Sequence, residues 1–150
     1  MTGRHGMNTD ERIKKIKEEF FRYRNGIVAD TLRKAGYPHK VIFGLGLPQI
    51  AGIARSIGQD TGLAEVLWND KDVRESRILS TYLFCAEDIP EERVLSLCGQ
   101  TRTQEEADML AFRLLKHMRN PDAILVRLKE SDTESAARCA KALEAHLDKS

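Results

Sequence analysis

Residues 48–58 read PQIAGIARSIG, and the spacing inside this stretch decides the fold class. Ile50, Ile53, Ala54 and Ile57 recur every three or four positions, the interval that gathers side chains on one face of an α-helix. Pro48 opens the segment, where a missing backbone N–H costs nothing, and Gly58 ends it. The same interval recurs in both directions. Toward the N-terminus it predicts a helix over 10–24, with Thr9 as N-cap and Ile13, Ile16, Phe20 and Tyr23 on one face. Asn25-Gly26 interrupts it, and a short helix follows over 27–35, stopped by Gly36 ahead of Pro38. Residues 41–47 are apolar and punctuated by glycine. A lone strand there would have no partner, so the segment reads as a tight connector.

Toward the C-terminus, helices are predicted over 63–68, 72–86, 90–98, 103–118, 121–128 and 132–147. Short links between amphipathic helices make neighbours antiparallel, the material of a helical solenoid. Ile53, Leu67, Leu79, Leu83, Leu110 and Leu114 should share one continuous core. The expectation is an all-α single domain over 1–150, with a flexible stretch at 1–8.

Composition agrees. A chain of 150 residues with 41% apolar content can bury a real core, and its 31% charged content, mixed in sign, suits solvated helix faces. No run approaches the ~18 apolar residues of a membrane span, and residues 1–8 lack the apolar centre of a signal peptide. Cys85, Cys98 and Cys139 form no Cys-x-x-Cys pair, which suggests free thiols in a reducing cytoplasm. His5, His39, His117 and His146 make no ligand cluster, so neither metal nor cofactor is expected. Net charge is +1, but residues 22–58 carry six cations against one anion, and residues 87–108 seven anions against two cations. The first stretch suits phosphates; the second would repel them.

Three segments carry a resemblance. Phe43-Gly44-Leu45-Gly46-Leu47-Pro48, followed by Ile50, Ile53, Ala54 and Arg55, is a glycine-containing loop running into a proline-started helix. Leu67-Trp68 precedes Arg74-Glu75-Ser76-Arg77-Ile78-Leu79, and Glu105-Glu106-Ala107-Asp108 comes third. In order and spacing, over residues 25–118, they resemble the HEAT-like repeat family of DNA alkylation repair glycosylases. There Leu-Trp is followed by His-Glu-x-Arg-x-Leu, with Arg74 here in place of His, and the third segment falls where the family has a Ser-Trp-x-x-x-Asp pattern.

The resemblance implies a right-handed superhelix of antiparallel hairpins, HEAT- or armadillo-like, with fewer repeats than usual. It also implies duplex DNA on a positive concave face and cleavage of the glycosidic bond of cationic alkylated purines, without metal or cofactor. A methylated purine is already a charged leaving group, so a carboxylate near the developing sugar cation and aromatic walls around the base are the main requirements. Asp108 takes the place of that carboxylate. About 60° round the helix from Ala111, it is expected inside the apolar arc of Ala107, Leu110, Ala111, Leu114, Leu115 and Met118.

Gln104 stands where the family has an aromatic, and no Trp, Tyr or Phe follows Phe112. Phe112, one turn after Asp108, is a candidate substitute for that aromatic but reads more readily as core, as does Trp68. Glu75 reads as a buried acid paired with an arginine, and Arg77 as pointing away from it toward phosphate. Arg33, Lys34, Lys40 and Arg55 are the expected phosphate contacts, joined by Arg138. These residues suggest a DNA alkylation repair-like protein with weak or lost base release. The alternative is a non-catalytic scaffold that binds a protein or structured nucleic acid on its concave face.

Overall fold

A computed structural model describes residues 8–147. Nine α-helices lie within them: α1 (Thr9–Arg22), α2 (Gly26–Lys34), α3 (Leu47–Ile57), α4 (Thr61–Asn69), α5 (Arg74–Leu83), α6 (Glu91–Gly99), α7 (Gln104–Arg113), α8 (Pro121–Lys129) and α9 (Glu134–Leu147). The chain is all-α. Among the described residues the one β feature is an isolated parallel bridge between Val41 and Val73. Residues 41–46 are otherwise irregular, the expected connector. No helix among the described residues is long and apolar enough to cross a membrane.

Helix ends follow local chemistry. α1 is capped by Asn8, one residue before the expected Thr9. Its side chain accepts the Glu11 N–H, while Glu11 accepts the Asn8 N–H at 3.0 Å, a reciprocal capping box. Asn8 is therefore fixed; the remainder of the stretch expected to be flexible, with His5, lies outside the described residues. The helix expected over 72–86 is shorter, because Val73 serves the bridge to Val41 and a 3₁₀ turn, Ala86–Asp88, follows. The long helix expected over 103–118 ends at Arg113 and tightens into a 3₁₀ turn over Leu115–His117. That turn buries Leu114 and Leu115 together, which a continuing α-helix would separate by 100°.

α5 is the centre of the packing. It lies against α3, α4 and α7, while α9 packs on α6, α7 and α8. Ile53, Leu67, Leu79, Leu83, Leu110 and Leu114 belong to one core, with Trp68 fully buried among them. On α5 every residue from Arg74 to Thr81, and Leu83, is buried. Its first turn is polar, so the surrounding backbone must satisfy it. Gly44 makes this possible: at φ +87°, a Cβ there would sit 2.2 Å from the Asn25 carbonyl oxygen. Only glycine lets the 43–45 loop pass so close to α2. α2 itself buries no side chain fully.

Candidate functional site

Four residues at the start of α5, Arg74-Glu75-Ser76-Arg77, organise the polar interior. Glu75 is fully buried and accepts the N–H groups of Phe43 (2.9 Å), Gly44 (2.9 Å) and Leu45 (3.3 Å), clasping the glycine loop. Arg74 donates to Glu75 and to the Leu45 carbonyl, and its outer edge meets Glu105 in two parallel bonds of 2.9 Å. Such forked pairing is the strongest form of ion pair. Burial works against the Arg74 charge, but Glu105 and Glu75 outweigh it and raise its pKa.

Arg77 does not reach outward as expected. It is 3% exposed, with its guanidinium 4.1 Å from the Trp68 ring, and it donates to the Trp68 and Gln100 carbonyls and to Glu106 at 3.0 Å. Buried acceptors hold it inside because an unpaired guanidinium there would be costly. Burial pushes its pKa down, which Glu106 only partly opposes. Glu106 also bonds His39 Nε2 at 2.8 Å and accepts the Arg102 N–H at 2.8 Å. Burial alone would raise the Glu106 pKa. The His39 hydrogen bond and the Arg77 charge overcome it and hold the carboxyl below its ordinary range.

A depressed carboxyl contributes stability that is present above the unfolded-state pKa and lost as pH falls through the folded one. Acid unfolding of the native chain is therefore expected to steepen below the ordinary carboxylate range. In Glu106→Gln this component should disappear, leaving a lower but flatter stability profile between about pH 5 and pH 3. Denaturant melts across that window check it. Parallel profiles for the two proteins would contradict it.

Asp108 also differs from expectation. It is exposed, and the buried acid of α7 is Glu106. The helix buries the side centred on Leu110, and Asp108 lies about 200° round from Leu110. Gln104 Nε2 donates to Asp108 Oδ1 at 2.9 Å and holds the carboxylate. Phe112 is likewise on the surface, 40% exposed, with Lys116 Nζ 4.1 Å from its ring and the His146 ring tilted against it at 5.2 Å.

Two half-buried tyrosines lie near α7. The Tyr37 phenol is raised by burial and by Glu105, and it also feels the Asp108 charge. Tyr82 is raised by burial, against the pull of Arg113 and Arg55. The Arg113 guanidinium lies 4.3 Å from the Tyr82 ring.

Of the expected site residues, Asp108 and Gln104 meet on α7, Arg55 acts only on Tyr82, and Arg77 does not join them. Arg138 is half-buried and donates to the Thr101 carbonyl at 2.9 Å, with Glu134 3.5 Å away, so its charge is used within the chain. Arg33 donates to the His39 and Lys40 carbonyls, Lys34 pairs with Asp30 at 3.2 Å, and Lys40 is exposed. Tyr37, Tyr82 and Arg113 were missed: a tyrosine beside an apolar stripe looks like core, and an arginine looks like solvated surface. The acidic stretch is also largely neutralised. Glu91 and Glu92 both meet Arg127, at 2.9 and 2.7 Å, while Glu105 and Glu106 meet Arg74 and Arg77. No protein-family description, curated protein or solved structure matches this chain.

Proposed function

We propose that this chain is a DNA alkylation repair-like protein of the cytoplasm, which engages duplex DNA through the face around Asp108 and releases cationic alkylated purines slowly. Its hairpins would stack as a short HEAT-like superhelix. The observation that carries the reading is an exposed carboxylate, Asp108, held by Gln104 and near enough to Tyr37 for its charge to act on the phenol.

The chemistry asked of these residues is limited. As the bond between sugar and methylated purine breaks, the electron pair leaves with the base and cancels its positive charge. The sugar becomes oxocarbenium-like, and a nearby carboxylate lowers the energy of that cation. Water then adds to the sugar carbon and loses a proton to solvent. Tyrosine faces attract the cationic base more weakly than tryptophan would. Neutralisation of four acids between residues 87 and 108 removes much of the repulsion that the sequence suggested.

The test is release of 3-methyladenine or 7-methylguanine from methylated duplex DNA under single-turnover conditions. Slow release by the native chain, falling to background in Asp108→Asn, is the expected result. Release that persists unchanged in Asp108→Asn would remove Asp108 from the chemistry. Absence of both release and DNA binding would favour the non-catalytic scaffold.

A further inference from the structure

A cleft of about 370 Å³ lies where the α4–α5 link meets the α6–α7 link, lined by Asn69, Lys71, Arg77, Gln100 and Arg102. Three of these are cations, two are amides, and none is an acid. Arg102 joins the two links, its Nη1 donating to the Lys71 carbonyl at 3.0 Å. Asp72 Oδ1 stands 3.7 Å from the same nitrogen, a looser contact. Lys71 is exposed and enters no ion pair among the described residues.

Arg77 forms the floor. The Trp68 and Gln100 carbonyls and Glu106 take its Nε and Nη1, but Nη2 has no hydrogen-bond partner among the described residues. Nor is that nitrogen sealed in, since the fully enclosed side-chain atoms without a partner are His39 Nδ1 and Arg138 Nε. A side chain only 4% exposed thus keeps one donor open to the cleft. Trp68 Nε1 donates to Gln100 Oε1 at 2.7 Å, which fixes that amide and leaves its NH₂ end free. The Arg102 charge also acts against that of Arg77. An anion between two such guanidinium groups relieves their repulsion.

We propose that this cleft binds a terminal phosphate group, either free phosphate or the phosphomonoester end of a small molecule. Arg77 Nη2 and the Arg102 guanidinium donate to the phosphate oxygens, and Lys71 and the two amides surround them. The depth of Arg77 selects the class of ligand. A backbone phosphate of nucleic acid carries a sugar on either side, which keeps its oxygens from the floor, whereas a terminal phosphate reaches it. A dianion also suits three cations of which one, Arg77, is already offset by Glu106. The cleft includes none of Asp108, Gln104 and Tyr37, so it stands independently of base release.

Trp68 is the only tryptophan in the sequence, and its ring lies 4.1 Å from the Arg77 guanidinium carbon, so its fluorescence reports on the floor. The full native chain is titrated at about pH 7.5, where a phosphomonoester is a dianion. Inorganic phosphate, glycerol 3-phosphate and dimethyl phosphate are compared, with sodium chloride holding ionic strength constant. The first two should give a saturable change with Kd on the order of 1 mM. Dimethyl phosphate, a monoanionic diester, should bind at least about 10-fold more weakly. Tighter binding of glycerol 3-phosphate than of inorganic phosphate marks a small-molecule end as the ligand, and the reverse order marks free phosphate. The double variant Lys71→Gln, Arg102→Gln should lose at least about 10-fold in affinity for both, with its circular dichroism unchanged. A response that follows ionic strength alone, persists unchanged in the double variant, or is equally strong with dimethyl phosphate would overturn the proposal.

Discussion

Replacing Glu75 by alanine is expected to destabilise the protein by ~3–5 kcal/mol, the usual cost of removing one partner from a buried ion pair. The reason is the number of groups that one carboxylate satisfies. Three backbone N–H groups of the 43–45 loop and one edge of Arg74 converge on it, all but the part-buried Phe43 N–H in the interior. Alanine leaves the loop N–H groups without an acceptor and Arg74 with only the Leu45 carbonyl and Glu105, and unpaired buried donors cost far more than the bonds contribute net. Glu75→Gln should recover only part of the loss, since its amide nitrogen turns N–H against N–H. Urea melts would show the midpoint falling sharply for Ala and less for Gln. An unfolding free energy within ~1 kcal/mol of the native protein for Glu75→Ala would mean that solvent satisfies the loop, and the clasp would be discarded.

Installing tryptophan at position 104 is expected to speed release of a methylated purine by roughly 2- to 30-fold. This range follows from ~0.5–2 kcal/mol for one cation–π contact, converted at ~1.36 kcal/mol per decade of rate. Gln104 lies one helical turn from Asp108 and is exposed, so a large side chain fits there without disturbing the core. Its folding stability should stay within ~0.5 kcal/mol of native, the usual range for surface changes. Single-turnover rates on methylated duplex, measured for the native chain and Gln104→Trp, decide the matter. Because the substitution also removes the Gln104 hydrogen bond to Asp108, an unchanged or lower rate with intact folding would show that a wall at 104 does not outweigh that hold.

The helices were legible because their apolar stripes keep the helical interval, and all six expected core residues share one core. What periodicity cannot see is the partner of a polar residue. Arg77 falls off the apolar face of α5 and was read as pointing outward, yet α5 is enclosed on every side and its arginine is satisfied by Trp68, Gln100 and Glu106. The same blindness exchanged the two acids of α7. Glu106 is tolerated inside because Arg77 and His39 are waiting for it, and those residues lie 29 and 67 positions away. A small error in where the apolar arc is centred then sufficed to misplace Asp108 and Phe112. Glu75 was the reverse case, since an acid on a strongly apolar face implied a buried partner and Arg74 supplies it. The approach of Cys139 Sγ to the Cys98 carbonyl, at 3.7 Å, has no local signal, because only the docking of α9 on α6 creates it.

The most direct test of the account is binding of a fluorescent methylated duplex, followed by anisotropy as salt is raised from 50 to 200 mM. For native protein the account predicts sequence-independent binding that weakens steeply with salt, as displaced counterions require. The double variant Arg55→Glu, Arg113→Glu should bind at least about 10-fold more weakly at 50 mM, with a salt slope shallower by about two phosphate contacts. Native affinity and native slope in that variant, with folding intact, would contradict a DNA-binding face around Asp108.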